Sequence, residues 1–136
     1  MPKKQNNLYQ KWFAKADEDD LSASFILKEQ HGSPSTVCFL SQQIAEKYLK
    51  GLLVFADRSF PKIHDLVAIA TTIEVFLPSM KEVKEDLTFL NGYYVQTRYP
   101  GDFPEFHWGD AKDAYKAAQN VKQWVLKEIS KDSMNS

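Results

Sequence analysis

Apolar residues recur along this chain at the three- and four-residue steps of an α-helix, in five separate stretches. From Leu8 to about Gln30, Phe13, Ala16, Ala23 and Leu27 share a face, with Leu8, Trp12 and Ile26 beside it. His31-Gly32-Ser33-Pro34 stops that helix. Glycine suits the residue just past a helix end, and Ser33 and Pro34 suit the N-cap and first turn of the next helix. The second helix runs to about Ala56 on a stripe of Val37, Leu40, Ile44, Tyr48, Leu52 and Phe55. Gln42, Gln43, Glu46, Lys47 and Lys50 lie on its flanking face, the two lysines partly opposite the stripe.

Asp57 to Lys62 is a loop, and a short third helix opens at His64-Asp65-Leu66 and ends near Thr72. Leu77-Pro78-Ser79 interrupts, and a fourth helix follows with Val83, Leu87, Leu90 and Tyr94 in register. It ends near Arg98, because the residue before Pro100 is pushed out of the helical region. Arg98 to Trp108 is an ordered loop rich in proline and aromatic residues, among them Phe103 and Phe106. The last helix, from about Gly109-Asp110 to Lys131, carries Ala111, Ala114, Ala118, Val121, Val125 and Ile129 on its apolar stripe, and a loose polar tail follows. No segment alternates in the manner of a strand. The pattern predicts an all-α, antiparallel up-and-down bundle of about five helices, one domain over 1–136 with an ordered core at about 8–131.

Composition narrows what such a bundle does. The formal net charge is -1, so no global positive field draws in nucleic acid, and contact with RNA requires a local patch. Cys38 is alone, which excludes an internal disulfide and a cysteine-built zinc site. The three histidines, His31, His64 and His107, are not paired at ligand spacing, so no metal and no cofactor is expected. The polar start MPKKQNN has no apolar run behind it, and no stretch approaches the roughly 20 apolar residues of a membrane span. These features predict a cytoplasmic protein without a membrane partner.

A few polar residues stand where chemistry is possible. Asp20 lies on the apolar stripe of the first helix, where a carboxylate must find a partner or shift its pKa. The second or fourth helix is the expected partner; the functional alternative is a site acid or an orienter of Arg98. Glu46 and Lys50 have the spacing of an exposed ion pair, unless Lys47 or Lys50 faces a cleft and meets a phosphate. His64 and Asp65 suit a helix start, and His64 also suits a proton carrier near neutral pH. Arg98, beside Tyr94 and Tyr99 and ahead of a proline-locked turn, is the foremost candidate for gripping a phosphate while a ring stacks a base. If the following loop folds back, His107 joins it. Arg98, His107 and His64 then form the metal-free catalytic set of a ribonuclease.

The landmarks fall into an order. Trp12 and Ala16 lead to Asp20-Leu21 and Ala23; Gln43-Ile44-Ala45-Glu46-Lys47-Tyr48-Leu49-Lys50 follows; then come Lys62-Ile63-His64-Asp65-Leu66 and Tyr94 through Arg98-Tyr99-Pro100. Together they resemble the HEPN family of small helical proteins, from Trp12 to about Ile129. The resemblance implies a helical bundle that forms a two-fold dimer. It also implies one of two roles, a toxin ribonuclease or a partner of a minimal nucleotidyltransferase encoded beside it. Family ribonucleases carry an Arg, four to six residues and then a His. Here eight residues separate Arg98 from His107 and aromatic Tyr99 follows the Arg, which is similar to the branch for which nucleotide binding has been proposed. The expected function is therefore a nucleotide- or RNA-binding partner in a toxin–antitoxin-like pair. A metal-independent endoribonuclease and a structural bundle without a ligand are the alternatives.

Overall fold

A computed structural model describes residues 6–60, 62–93 and 105–135. Five α-helices stand among them: α1 (Asn6–Glu29), α2 (Pro34–Phe55), α3 (Leu66–Glu74), α4 (Lys84–Asn91) and α5 (Trp108–Asn135), with a 3-10 helix at Pro78–Val83. There is no strand among the described residues. The all-α bundle expected from the sequence is the observed fold.

α1 and α2 form an antiparallel hairpin. The chain turns between them through left-handed backbone at Gln30 (φ 54°) and Gly32 (φ 101°). Ser33 then caps α2, its Oγ accepting from the Ser35 amide at 3.1 Å, with Pro34 in the first turn. α2 stops at Asp57, also left-handed (φ 60°); the Asp57 and Arg58 amides donate back to the carbonyls of Val54 (2.9 Å) and Leu53 (2.8 Å). Val37, Cys38, Ile44, Ala45, Leu49 and Leu53 are all fully buried, so α2 is the central helix of the core rather than a helix with one apolar stripe. On α5, Ala111, Ala114, Ala117, Ala118 and Val121 keep side chains small where it lies against the core. Trp124 closes that end, its indole N–H donating to Ser79 Oγ at 3.2 Å.

Several boundaries move. The third helix starts at Leu66, not His64, and runs to Glu74. Val83 ends the 3-10 turn that Pro78 begins, and α4 is eight residues long. Residues 132–135, expected as a loose tail, continue α5. Tyr94, Arg98, Tyr99 and Phe103 lie outside the described residues. No helix among the described residues is long and apolar enough to cross a membrane.

Gly51 sets how closely the hairpin packs. A Cβ built there would lie 2.5 and 2.8 Å from ring carbons of Phe13 and 3.2 Å from Trp12 Cβ. The Phe13 ring is stacked on Tyr48 (centroids 4.7 Å apart) and meets Tyr9 edge-on (5.5 Å), so it is pinned. Overpacking costs about 1–3 kcal/mol and alanine gains about 1 kcal/mol over glycine in a helix. Gly51→Ala is therefore expected to lower stability by roughly 1 kcal/mol, read from the urea midpoint. A rise in the midpoint would show that the Phe13 ring yields freely.

Candidate functional site

Cys38, Gln42, Glu46 and Lys50 succeed one another at steps of four, a slanting row on α2. All four are buried. Two other parts of the chain, α1 and the α2–α3 loop, close over this row. At Lys50 stand Trp12 of α1 and Phe60 of the α2–α3 loop, their rings edge to face at 5.5 Å. The Lys50 ammonium lies 5.9 and 5.3 Å from those two ring centroids and 2.8 Å from Glu46 Oε2. At Glu46, His64 Nδ1 approaches the same oxygen at 2.9 Å and the other at 3.2 Å. Gln42 Nε2 donates to the His64 carbonyl (3.2 Å) and to Glu46 Oε1 (3.4 Å), while Gln43 Nε2 donates to Gln42 Oε1 (2.6 Å). His64 is thus gripped by both its backbone and its ring.

A carboxylate only accepts, so the bond to Glu46 assigns the Nδ1 position of His64 its proton. In the neutral ring Nε2 is then the basic nitrogen, the arrangement that suits an imidazole to proton transfer. The His64 side chain is half exposed (52%) whereas that of Glu46 is 6% exposed, so the pair runs from the core to the surface.

The residues after His64 are fixed by helix capping. Asp65 Oδ1 accepts from the amides of Val67 (3.0 Å) and Ala68 (3.1 Å). Asn91, at the end of α4, takes the Leu66 amide on Oδ1 (2.7 Å) and donates from Nδ2 to Asp65 Oδ1 (3.1 Å). Two residues on, Tyr93 packs edge-on against Phe89 and Phe106, each at 5.4 Å between centroids. The segment carrying Tyr94, Arg98 and Tyr99 therefore leaves and rejoins the described fold at neighbouring points. Burial, with Asp110 nearby, pushes the Cys38 thiol up to about 12. Burial also raises Tyr93 to about 12, helped by Cys38, Asp110 and Asp113. Neither is a nucleophile near neutral pH.

The structure brings Glu46, Lys50 and His64 together, with Asp65 beside them. It corrects the reading of Glu46 and Lys50 as a solvated pair: the spacing holds, but α2 is surrounded, so the pair is buried. Lys47 is on another side of α2, its Nζ 2.5 Å from Asp19 Oδ2 of α1. Asp20 finds partners on α5, not on the second or fourth helix: Tyr115 Oη (2.6 Å), Gln119 Nε2 (3.1 Å) and Lys122 Nζ (2.7 Å). The capping role considered for His64 belongs to Asp65. His107 precedes α5 on the surface, its amide donating to Asp110 Oδ2 at 2.8 Å. Both lysines proposed to meet a phosphate, Lys47 and Lys50, are held by carboxylates. Gln42, Asn91, Trp12 and Phe60 were missed as parts of the site. For Gln42 the four-residue step to Glu46 was the available signal.

The model of the HEPN domain matches residues 9–129. The crystal structure of TT1696 from Thermus thermophilus superposes with a TM-score of 0.78 at 24% identity, covering 88% of this chain and 96% of that one. The crystal structure of ST0689, an archaeal HEPN homologue, gives a TM-score of 0.70 at 28% identity, covering 89% and 97%. No curated protein gives a significant match.

Proposed function

This chain belongs to the HEPN domain family, and we propose that it is a nucleotide- or RNA-binding protein, dimeric, that works with a separately encoded nucleotidyltransferase as one half of a toxin–antitoxin-like pair. The observation that carries the binding reading is the Glu46–His64 pair. A buried carboxylate holds an imidazole at the surface, next in sequence to Asp65, whose partner Asn91 precedes Tyr94 by three residues. With Lys47 and Lys50 engaged by Asp19 and Glu46, Arg98 becomes the principal candidate for the phosphate and Tyr94 and Tyr99 for stacking on the base.

Calorimetric titration with ATP, GTP, AMP and a short single-stranded RNA tests this. Binding to at least one is expected, weakened roughly tenfold or more in Arg98→Ala and in His64→Ala. A flat titration for all four ligands sinks the binding reading. Co-purification with the product of an adjacent nucleotidyltransferase gene tests the partner.

One observation favours a metal-independent endoribonuclease as the second reading. His64 is oriented by a carboxylate, as a general base is, and Arg98 would supply the charge for a developing oxyanion. RNA cleavage in EDTA, lost in both Arg98→Ala and His64→Ala, is its expected signature; intact RNA across structured and single-stranded substrates removes it.

A further inference from the structure

Gln43 ends the hydrogen-bonded row that holds His64, and the row leaves its amide only one way round. Gln42 Nε2 donates to the His64 carbonyl (3.2 Å) and to Glu46 Oε1 (3.4 Å), both groups that only accept. Gln42 is buried, so its own oxygen faces the other way, and Gln43 Nε2 donates to it at 2.6 Å. Turning the Gln43 amide over would set oxygen against oxygen and leave the Gln42 oxygen without a donor. Gln43 makes no other hydrogen bond among the described residues and is only half-buried. Its Oε1, without a partner, is reached by solvent. A fixed acceptor, with the unspent N–H of Nε2 beside it, therefore stands two hydrogen bonds from His64.

The two lysines nearest in sequence are Lys47 and Lys50, tied to Asp19 and Glu46, so neither is spare to bring a phosphate to this amide. A neutral amide with a donor beside an acceptor pairs instead with the edge of a base. Adenine offers the matching pair on both of its edges, the N6 amine with N7 and the N6 amine with N1. A purine with a carbonyl in place of that amine presents two acceptors, O6 and N7, on the first edge. We propose that Gln43 reads the base of the bound nucleotide or RNA, and that the fixed turn of its amide selects adenine. The proposal rests on the binding reading above and adds the base to it.

Calorimetric titration of the full chain with ATP and ITP tests it. The base of ITP carries a carbonyl and an N1–H where adenine has an amine and a bare N1. Single-stranded hexamers of A and of I repeat the comparison for RNA, and the arm that shows the preference identifies the source of the base. The wild type is expected to bind the adenine ligand roughly tenfold more tightly, the discrimination that one bidentate amide contact gives. Gln43→Leu, of similar size but without a polar side-chain atom, should erase that preference. Gln42→Met should erase it by another route, because Gln43 then keeps its amide but is free to turn and serve either base. That change also removes a bond to the His64 carbonyl, which weakens both ligands alike, so the ratio of the two affinities is the quantity read. Circular dichroism shows whether each variant is folded. No binding of any of the four ligands overturns this proposal together with the binding reading. Equal affinities in the wild type, or a preference that survives Gln43→Leu, overturn the role of Gln43 and leave binding standing. A preference lost in Gln43→Leu but kept in Gln42→Met overturns the fixed amide as its source.

Discussion

Replacing Glu46 with alanine is expected to remove about 3–5 kcal/mol of folding stability, the usual cost of leaving one member of a buried ion pair alone. Lys50 is 6% exposed, and its remaining neighbours near the ammonium are the faces of Trp12 and Phe60. Ring faces attract a cation by about 0.5–2 kcal/mol, too little to replace both the carboxylate and the water it excludes. His64 and Gln42 lose an acceptor in the same step, loosening the entrance to α3. Glu46→Gln should cost less, since it keeps the shape of the side chain and an oxygen that accepts. Exchanging both members, Glu46→Leu with Lys50→Met, should recover most of the lost stability, because no buried charge is then stranded. Under the binding reading that double variant folds but no longer orients His64, so it fails in the titration. Urea unfolding of the three variants separates these expectations. A loss below about 1 kcal/mol for Glu46→Ala would mean that water already reaches the row.

That contrast between a legible spacing and an illegible environment runs through the whole chain. The helices were visible because Val37, Ile44, Tyr48 and Leu52, or Ala111, Ala118 and Val125, repeat at helical steps over two turns or more, a local property. So was the i, i+4 relation of Glu46 and Lys50. Their burial was not, because it depends on Trp12 from one direction and Phe60 and His64 from another, and nothing in the α2 sequence reports what packs upon it. Asp20 stood out as a carboxylate on an apolar stripe that needed a partner. Which helix supplies the partner is decided by the hairpin, which lays α1 along α5, about 95 residues away in sequence. Asn91 carried no signal at all: a lone asparagine at the end of a short helix becomes a cap for α3 only once α3 and α4 meet. The family resemblance reached further, since it drew on an order of landmarks rather than on local period. The residue it made most prominent, Arg98, is one for which the described residues supply only the two ends of its segment.

Asp20 gives the second large effect, and the one that responds to pH. Burial alone would raise its pKa, but hydrogen bonds from Lys122, Tyr115 and Gln119 and the charge of Lys122 outweigh it, holding the carboxyl below its ordinary value. Burial would likewise lower Lys122, and the bonds and charges of Asp20 and then Asp17 overcome that and raise it. The two shifts act at opposite ends of the pH scale. Asp20, depressed in the folded state, contributes stability that is fully present above its unfolded value of about 3.9 and is lost as pH falls through its folded value. Lys122, elevated, contributes stability fully present below its unfolded value of about 10.4 and lost as pH rises through its folded value. Between those limits the cluster holds α1 against α5 with undiminished strength. Asp20→Ala is expected to cost about 2–3 kcal/mol at pH 7, because Tyr115 and Gln119 lose their acceptor while Lys122 keeps a weaker one in Asp17 at 3.3 Å. Asp20→Asn retains an oxygen for Tyr115 and should cost less. Both variants, having no carboxyl to protonate at this position, should lose less stability than the wild type on going from pH 7 to pH 3, so the gap between wild type and variant narrows in acid. Denaturant curves that stay parallel between the two pH values would remove Asp20 from the acid response.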